Sequence, residues 1–191
     1  MSLLDMLQQR LGGDAVSQIS RQLGTDHSTT QTAIAAALPM LVGALARNAQ
    51  DPGKAGALAS ALGRHDGSVL DDVAGYLGRG DTGDGAGILG HVLGARQETV
   101  QTGLGQVAGL DPDKAGELLA MLAPLVMGAL GKAQREKGLD TGGLAGMLGG
   151  ERQRAADGAP GVMGMLTSLL DRDHDGSVMD DIGGMLGKLR K

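Results

Sequence analysis

The chain has no cysteine, phenylalanine or tryptophan and a single tyrosine, Tyr76, among its 191 residues. Without cysteine, disulfides, thiolate catalysis and cysteine-ligated zinc are all excluded. Without aromatic rings the core must be filled by Leu, Met, Ala, Val and Ile, and the ten methionines suit the irregular gaps that rings would leave. The 35 glycines, together with alanine, allow helix backbones to approach closely. Each glycine inside a helix costs roughly 0.5–1 kcal/mol against alanine. No stretch approaches ~18 consecutive apolar residues, so no membrane span is expected. Met1-Ser2-Leu3-Leu4-Asp5-Met6 lacks the basic stretch and apolar run of a secretory signal, which makes the cytoplasm the expected compartment. The net charge of −5 weighs against general binding to a phosphate backbone.

What the sequence does contain is itself, twice. Leu38-Pro39-Met40-Leu41-Val42-Gly43-Ala44-Leu45 recurs as Ala123-Pro124-Leu125-Val126-Met127-Gly128-Ala129-Leu130, an offset of 85 (124 less 39). Leu4, Ile19 and Gly24 find partners in Leu89, Leu104 and Gly109 at the same offset. A second repeat relates His65-Asp66-Gly67-Ser68-Val69-Leu70-Asp71-Asp72-Val73 to His174-Asp175-Gly176-Ser177-Val178-Met179-Asp180-Asp181-Ile182, at an offset of 109 (175 less 66). The second copy therefore holds 24 extra residues (109 less 85), which must fall between about Leu130 and Asp171. The Gly- and charge-rich stretch Gly149–Arg154 is their natural position. The expected organisation is a first helical repeat over 1–78, a Gly/Asp linker over 79–87 and a second repeat over 88–191. Units of this size bury little surface alone, which favours one joint, pseudo-symmetric core.

Each copy reads as helix only. Apolar residues at 34, 38, 41, 42 and 45 follow a helical period, with Ser28 and Gln31 spaced as a capping box before them. Pro39 and Pro124 lie inside long helical patterns, where a proline removes a backbone donor and is expected to kink or break the helix. Asp51-Pro52 and Asp111-Pro112 read as helix starts, the aspartate capping and the proline at the first turn. No run rich in β-branched and aromatic residues suggests a strand. The fold class expected is all-α: two diverged copies of a multi-helix unit packed as a pseudo-symmetric array.

Three stretches, Ile88-Leu89-Gly90-His91-Val92-Leu93-Gly94, Gly109-Leu110-Asp111 and Leu122-Ala123-Pro124-Leu125-Val126-Met127-Gly128, resemble the YidB-like group of uncharacterised bacterial proteins. That resemblance covers most of the chain. It implies homeodomain-like helices and no established activity, and it brings no catalytic residues.

The one stretch with pointed chemistry is Asp171-Arg172-Asp173-His174-Asp175-Gly176, which begins like an EF-hand or dockerin calcium loop. Calcium takes six to eight oxygens, and carboxylates at alternating positions converge as such a loop curls. Asp171, Asp173 and Asp175, the Ser177 carbonyl, and Asp180 or Asp181 are the candidate ligands of one calcium ion. The departure comes at the loop's twelfth position, where the acid of the EF-hand is replaced by Ile182. In the first copy, an offset of 109 puts Leu62 and Arg64 where Asp171 and Asp173 stand, so that copy lacks two ligands. A plainer role competes: Ser68 with Asp71, and Ser177 with Asp180, have helix-capping spacing.

No paired histidines, nucleophile elbow or phosphate-binding loop accompanies this motif. The reading that results is a non-enzymatic helical interaction or structural protein with one calcium loop. A protein partner or a homo-oligomer is expected, because apolar faces such as Ala33 to Leu45 invite one. A helix-turn-helix-like nucleic-acid binder is the alternative, which the acidic charge disfavours.

Overall fold

A computed structural model describes residues 2–80 and 82–158; the acidic loop 171–181 lies outside the described residues. The described chain is helical throughout, without strands. The helices are α1 (Leu3–Arg10), α2 (Gly13–Leu23), α3 (His27–Gln50), α4 (Pro52–Arg64), α5 (Val73–Gly78), α6 (Gly83–Leu93), α7 (Gln97–Ala108), α8 (Pro112–Lys137) and α9 (Thr141–Gly158). Single 3-10 turns at Ser68–Leu70 and Gly94–Arg96 join α4 to α5 and α6 to α7.

The boundaries follow local chemistry. Asp26 caps α3 by accepting the Thr29 amide at 2.9 Å, and Asp51 caps α4 through the Gly53 amide at 2.9 Å. Ser28, expected as the α3 cap, lies inside the helix instead, because Asp26 supplies a stronger acceptor two residues earlier. The capping box that does form is Ser2 with Asp5 at the start of α1. Gly24 and Gly109 end α2 and α7 in the left-handed conformation, which only glycine adopts without penalty. The bounds of α2 and α3 shifted by 85 fall close to those of α7 and α8.

Helices α3 and α8 are the two axes of the core. Leu38, Met40, Leu41 and Leu45 of α3 and Leu118, Leu119, Leu122 and Leu125 of α8 are almost wholly buried, in one apolar cluster that draws on both halves of the sequence. Helix α3 packs against α7, α8 and α9, and α8 packs against α6, α7 and α4. The expected apolar docking face, Ala33 to Leu45, is therefore largely covered by the chain itself: Ala33, Ala37, Leu38 and Val42 have no exposed surface. Both axes are long and apolar enough to cross a membrane, with mean hydropathies of 1.4 and 1.3. Yet 72% and 83% of those windows lie inside the protein, as core helices do.

Neither proline breaks its helix. α3 continues through Pro39 and α8 through Pro124, both buried. Pro124 has no amide for the Ala120 carbonyl four residues back, and it is this carbonyl against which Gly85 packs. A methyl group on Gly85 would overlap the Ala120 oxygen. Gly83 to Gly87, expected as linker, are the first turns of α6, and at Gly85 glycine serves close approach rather than flexibility.

The stretch 149–154, expected to hold the extra residues, is helical. It belongs to α9, which occupies the position of the 24-residue insertion. Glu151 is 3% exposed and reaches the first turn of α1, where its carboxylate accepts the Leu3 and Leu4 amides at 3.1 and 3.4 Å. Its other oxygen is 2.6 Å from the largely exposed Arg154 guanidinium. A buried carboxylate thus satisfies amides that a helix start leaves without partners.

Glu151→Ala is expected to destabilise the protein by about 1–3 kcal/mol in chemical denaturation, since two amides lose a buried acceptor. Arg154→Ala should cost clearly less, because the guanidinium is exposed. The glycines give a second contrast. Gly87→Ala and Gly90→Ala, with nothing within 4 Å of the added carbon, should stabilise by about 0.5–1 kcal/mol. Gly85→Ala and Gly131→Ala, which drive a methyl into backbone carbonyls, should destabilise by about 1–3 kcal/mol.

Candidate functional site

The His-Asp-Gly-Ser motif of the first copy forms a tight turn after α4. Leu62 is fully buried and accepts the His65 amide at 3.1 Å, which ends the helix. The Asp66 side chain then turns back to accept the Ser68 amide at 2.9 Å. Gly67, at φ +86°, reverses the chain in a conformation that side chains rarely adopt. One 3-10 turn follows, closed by Leu70 N–H to the Gly67 carbonyl at 2.9 Å, and it carries Leu70 into the core. The Arg10 guanidinium donates to the Leu70 carbonyl at 3.0 Å.

The cap of the next helix is Asp72, whose carboxylate accepts the Gly75 amide at 2.8 Å. Ser68 makes no side-chain capping bond, so the expected Ser68/Asp71 capping box is not formed. The intervening 3-10 turn is the reason, since it moves the helix start from Ser68 to Val73.

Helix α8 supplies the floor beneath this turn. Gly131 leaves room for the His65 carbonyl to lie against the helix, and Gly128 does the same for Val69: an added carbon there would stand 2.7 Å from Cγ1. Gly67 itself rests on Gly128 and Lys132. One turn further along, both terminal nitrogens of Arg135 stand 3.3 Å from the His65 carbonyl and donate to it. Gly128, Gly131, Lys132 and Arg135 share one face because three and four residues make a helical turn. The abundance of glycine was the readable signal of close contact; nothing in the sequence marked Lys132 and Arg135 as its rim.

Between turn and helix lies a cavity of about 310 Å³, lined by Asp66, Ser68 and Asp71 on one side and Lys132, Arg135 and Glu136 on the other. Its charges are mixed. The Ser68 hydroxyl and amide hold the Asp66 carboxyl below its ordinary range, so Asp66 is committed as an acceptor within its own turn. Among the described residues, no group of three or more His, Asp or Glu side chains is placed to hold a metal ion. Asp171, Asp173, Asp175, Ser177, Asp180 and Asp181, the candidate calcium ligands, all lie outside the described residues.

His65 is half-buried, and burial, then the neighbouring Arg64 charge, depress its pKa, against the opposing pull of Asp84 and Asp66. The folded state thus favours the neutral ring, so the unfolded chain binds more protons near neutral pH. Stability should be fully present above the ordinary histidine value of 6.5 and fall as pH drops through the lowered one. Melting curves between pH 7.5 and 5 should show this loss, and His65→Gln should flatten it.

The family model for bacterial protein of unknown function (DUF937) matches residues 5–133 and 142–191. No curated protein and no solved structure matches the chain. With nearly its whole length covered by that model, the chain belongs to the DUF937 family of bacterial proteins of unknown function.

Proposed function

We propose that this protein is a non-enzymatic helical interaction module, built from two copies of one unit, whose second acidic loop binds one calcium ion. The observation that carries the calcium reading is the shape of the first-copy turn. There a glycine at φ +86° brings Asp66, Ser68 and Asp71 to the wall of one cavity. At the offset of 109 these residues correspond to Asp175, Ser177 and Asp180, and the second copy adds Asp171 and Asp173 close by. Carboxylates gathered in this way repel one another unless a cation neutralises them.

Of the two final acids, the first copy supports Asp180 as the ligand over Asp181, since their counterparts Asp71 and Asp72 line the cavity and cap α5 respectively. Asp171, Asp173, Asp175 and Asp180 with the Ser177 carbonyl then supply at least five oxygens, and water completes the six to eight that calcium takes. The ion's contribution is to pin the loop, and the protein's is to present a helical surface to a protein partner or a second copy of itself, in the cytoplasm.

Calcium should raise the melting temperature of the full chain, and magnesium should raise it less because it demands a tighter octahedron. A hundredfold excess over Kd is worth about 2.7 kcal/mol for a ligand bound only by the folded state. Asp173→Ala should abolish the calcium-dependent shift and Asp66→Ala should keep it. Asp181→Ala should lower the melting temperature equally with calcium and with chelator. An identical melting curve in millimolar calcium and in chelator rejects the calcium reading.

A further inference from the structure

We infer that the cleft between α8 and α9 binds a free fatty acid, its alkyl chain on an apolar floor and its carboxylate between Arg154 and Lys137. The site is separate from the acidic loop and from the turn at Gly67, and it needs no metal.

The cleft arises because two consecutive helices part company. Only residues 138–140 lie between α8 and α9, yet α9 packs chiefly on α3 and makes no comparable contact with α8. The space left between them is a cavity of about 440 Å³, within the range of about 300–1,000 Å³ typical of small-ligand sites. Each helix turns one face to it, with Ala129, Lys132 and Ala133 on α8 and Met147, Gly150 and Glu151 on α9. Both sets have the spacing of neighbours on a helix surface. The start of α1 closes the third side with Leu3 and Met6.

The middle of the cleft is apolar and unfilled. Ala129, Ala133 and Gly150 put nothing long into it, and a carbon added at Gly150 would meet no atom within 4 Å. Met6 and Met147 line it and are half-buried, unlike Met40 and Met121, which are packed inside the core. A methionine side chain is flexible and polarisable, so it adapts to an alkyl chain that takes many shapes. Apolar surface kept open to water in this way favours an apolar guest.

The charges around the cleft choose the head group. Lys132 and Glu136 stand one turn apart at 4.0 Å and offset each other. Glu151 is already satisfied by the Leu3 and Leu4 amides and by Nη1 of Arg154. Two cations keep donors to spare. Among the described residues, Nε and Nη2 of Arg154 make no hydrogen bond, and Lys137 has no ion pair. The cleft thus carries one positive charge in excess, on a chain whose net charge is −5. A carboxylate takes charge-assisted bonds from such donors, whereas a cationic head would meet the wrong sign.

Decanoate, kept well below its micelle concentration, is the probe. The full chain is isotope-labelled in its methionine methyl groups and read by NMR, in chelator so that the outcome is independent of calcium. Signals of Met6 and Met147 should shift saturably while those of Met40 and Met121 stay in place. Decanol should bind about twofold to fivefold more weakly, and so should decanoate to Lys137→Gln, the weight of one exposed ion pair. Gly150→Leu fills the cleft with its own side chain and should remove the saturable shifts. Gly146→Leu, which also faces open space, should do the same by a second route. Circular dichroism certifies that the variants remain helical. Saturable shifts that survive both substitutions overturn the inference, as does binding of decanol or decyltrimethylammonium as tight as that of decanoate. Sedimentation with anionic vesicles, without saturable binding of decanoate, overturns it and makes the cleft a membrane contact. Met6 and Met147 signals that follow protein concentration and ignore decanoate give the cleft to a second copy and also overturn it.

Discussion

The structure depends on backbone meeting backbone along α8. A core without rings has no large side chains to bridge gaps between helices, so elements must come together until main-chain atoms touch. α8 accepts such contacts at three places: Gly85 against the Ala120 carbonyl, the His65 carbonyl against Gly131, and Gly67 against Gly128. The first uses an oxygen whose helical donor Pro124 has removed, so the proline and the glycine are two parts of one joint. The two others fix the path of the turn between α4 and α5. The cavity beside Asp66 exists because that turn is held against the helix while Lys132 and Arg135 rise around it.

The all-α class was legible because the chain's apolar residues keep a helical period and no stretch favours strands. Two long helices, one around Pro39 and one around Pro124, were also legible from the apolar pattern. What could not be read was the use made of particular residues. Glycine at 85 looks the same whether it loosens a linker or admits a neighbouring carbonyl, and only the position of Ala120 decides. Proline at 39 and 124 breaks an isolated helix, but burial on all sides keeps these two helices continuous. Ser28 and Ser68 have the spacing of caps, yet Asp26 and Asp72 take that role, because a carboxylate is the stronger acceptor or because a 3-10 turn intervenes.

For the candidate site, sequence supplied the motif and the structure supplied its opposing wall. The turn at Gly67 was foreseeable from its composition. Its companions were not: Arg135 lies 70 positions from His65, and only the crossing of α4 over α8 brings the two together. Membership of a family of unknown function adds breadth without chemistry.

Glu151 joins the two ends of the described chain, its carboxylate meeting the Leu3 amide 148 positions earlier in the sequence. A ribosome releases α1 long before it releases α9. Until residue 151 has left the exit tunnel, the first turn of α1 has only water and its own Ser2–Asp5 box to meet its amides. The first helix made is thus among the last to be completed, and assembly of the N-terminal unit is tied to synthesis of the C-terminal one. A chain stopped before α9 presents Leu3, Leu4 and Leu7 on a helix whose start is left open, which is the kind of surface that chaperones and proteases find.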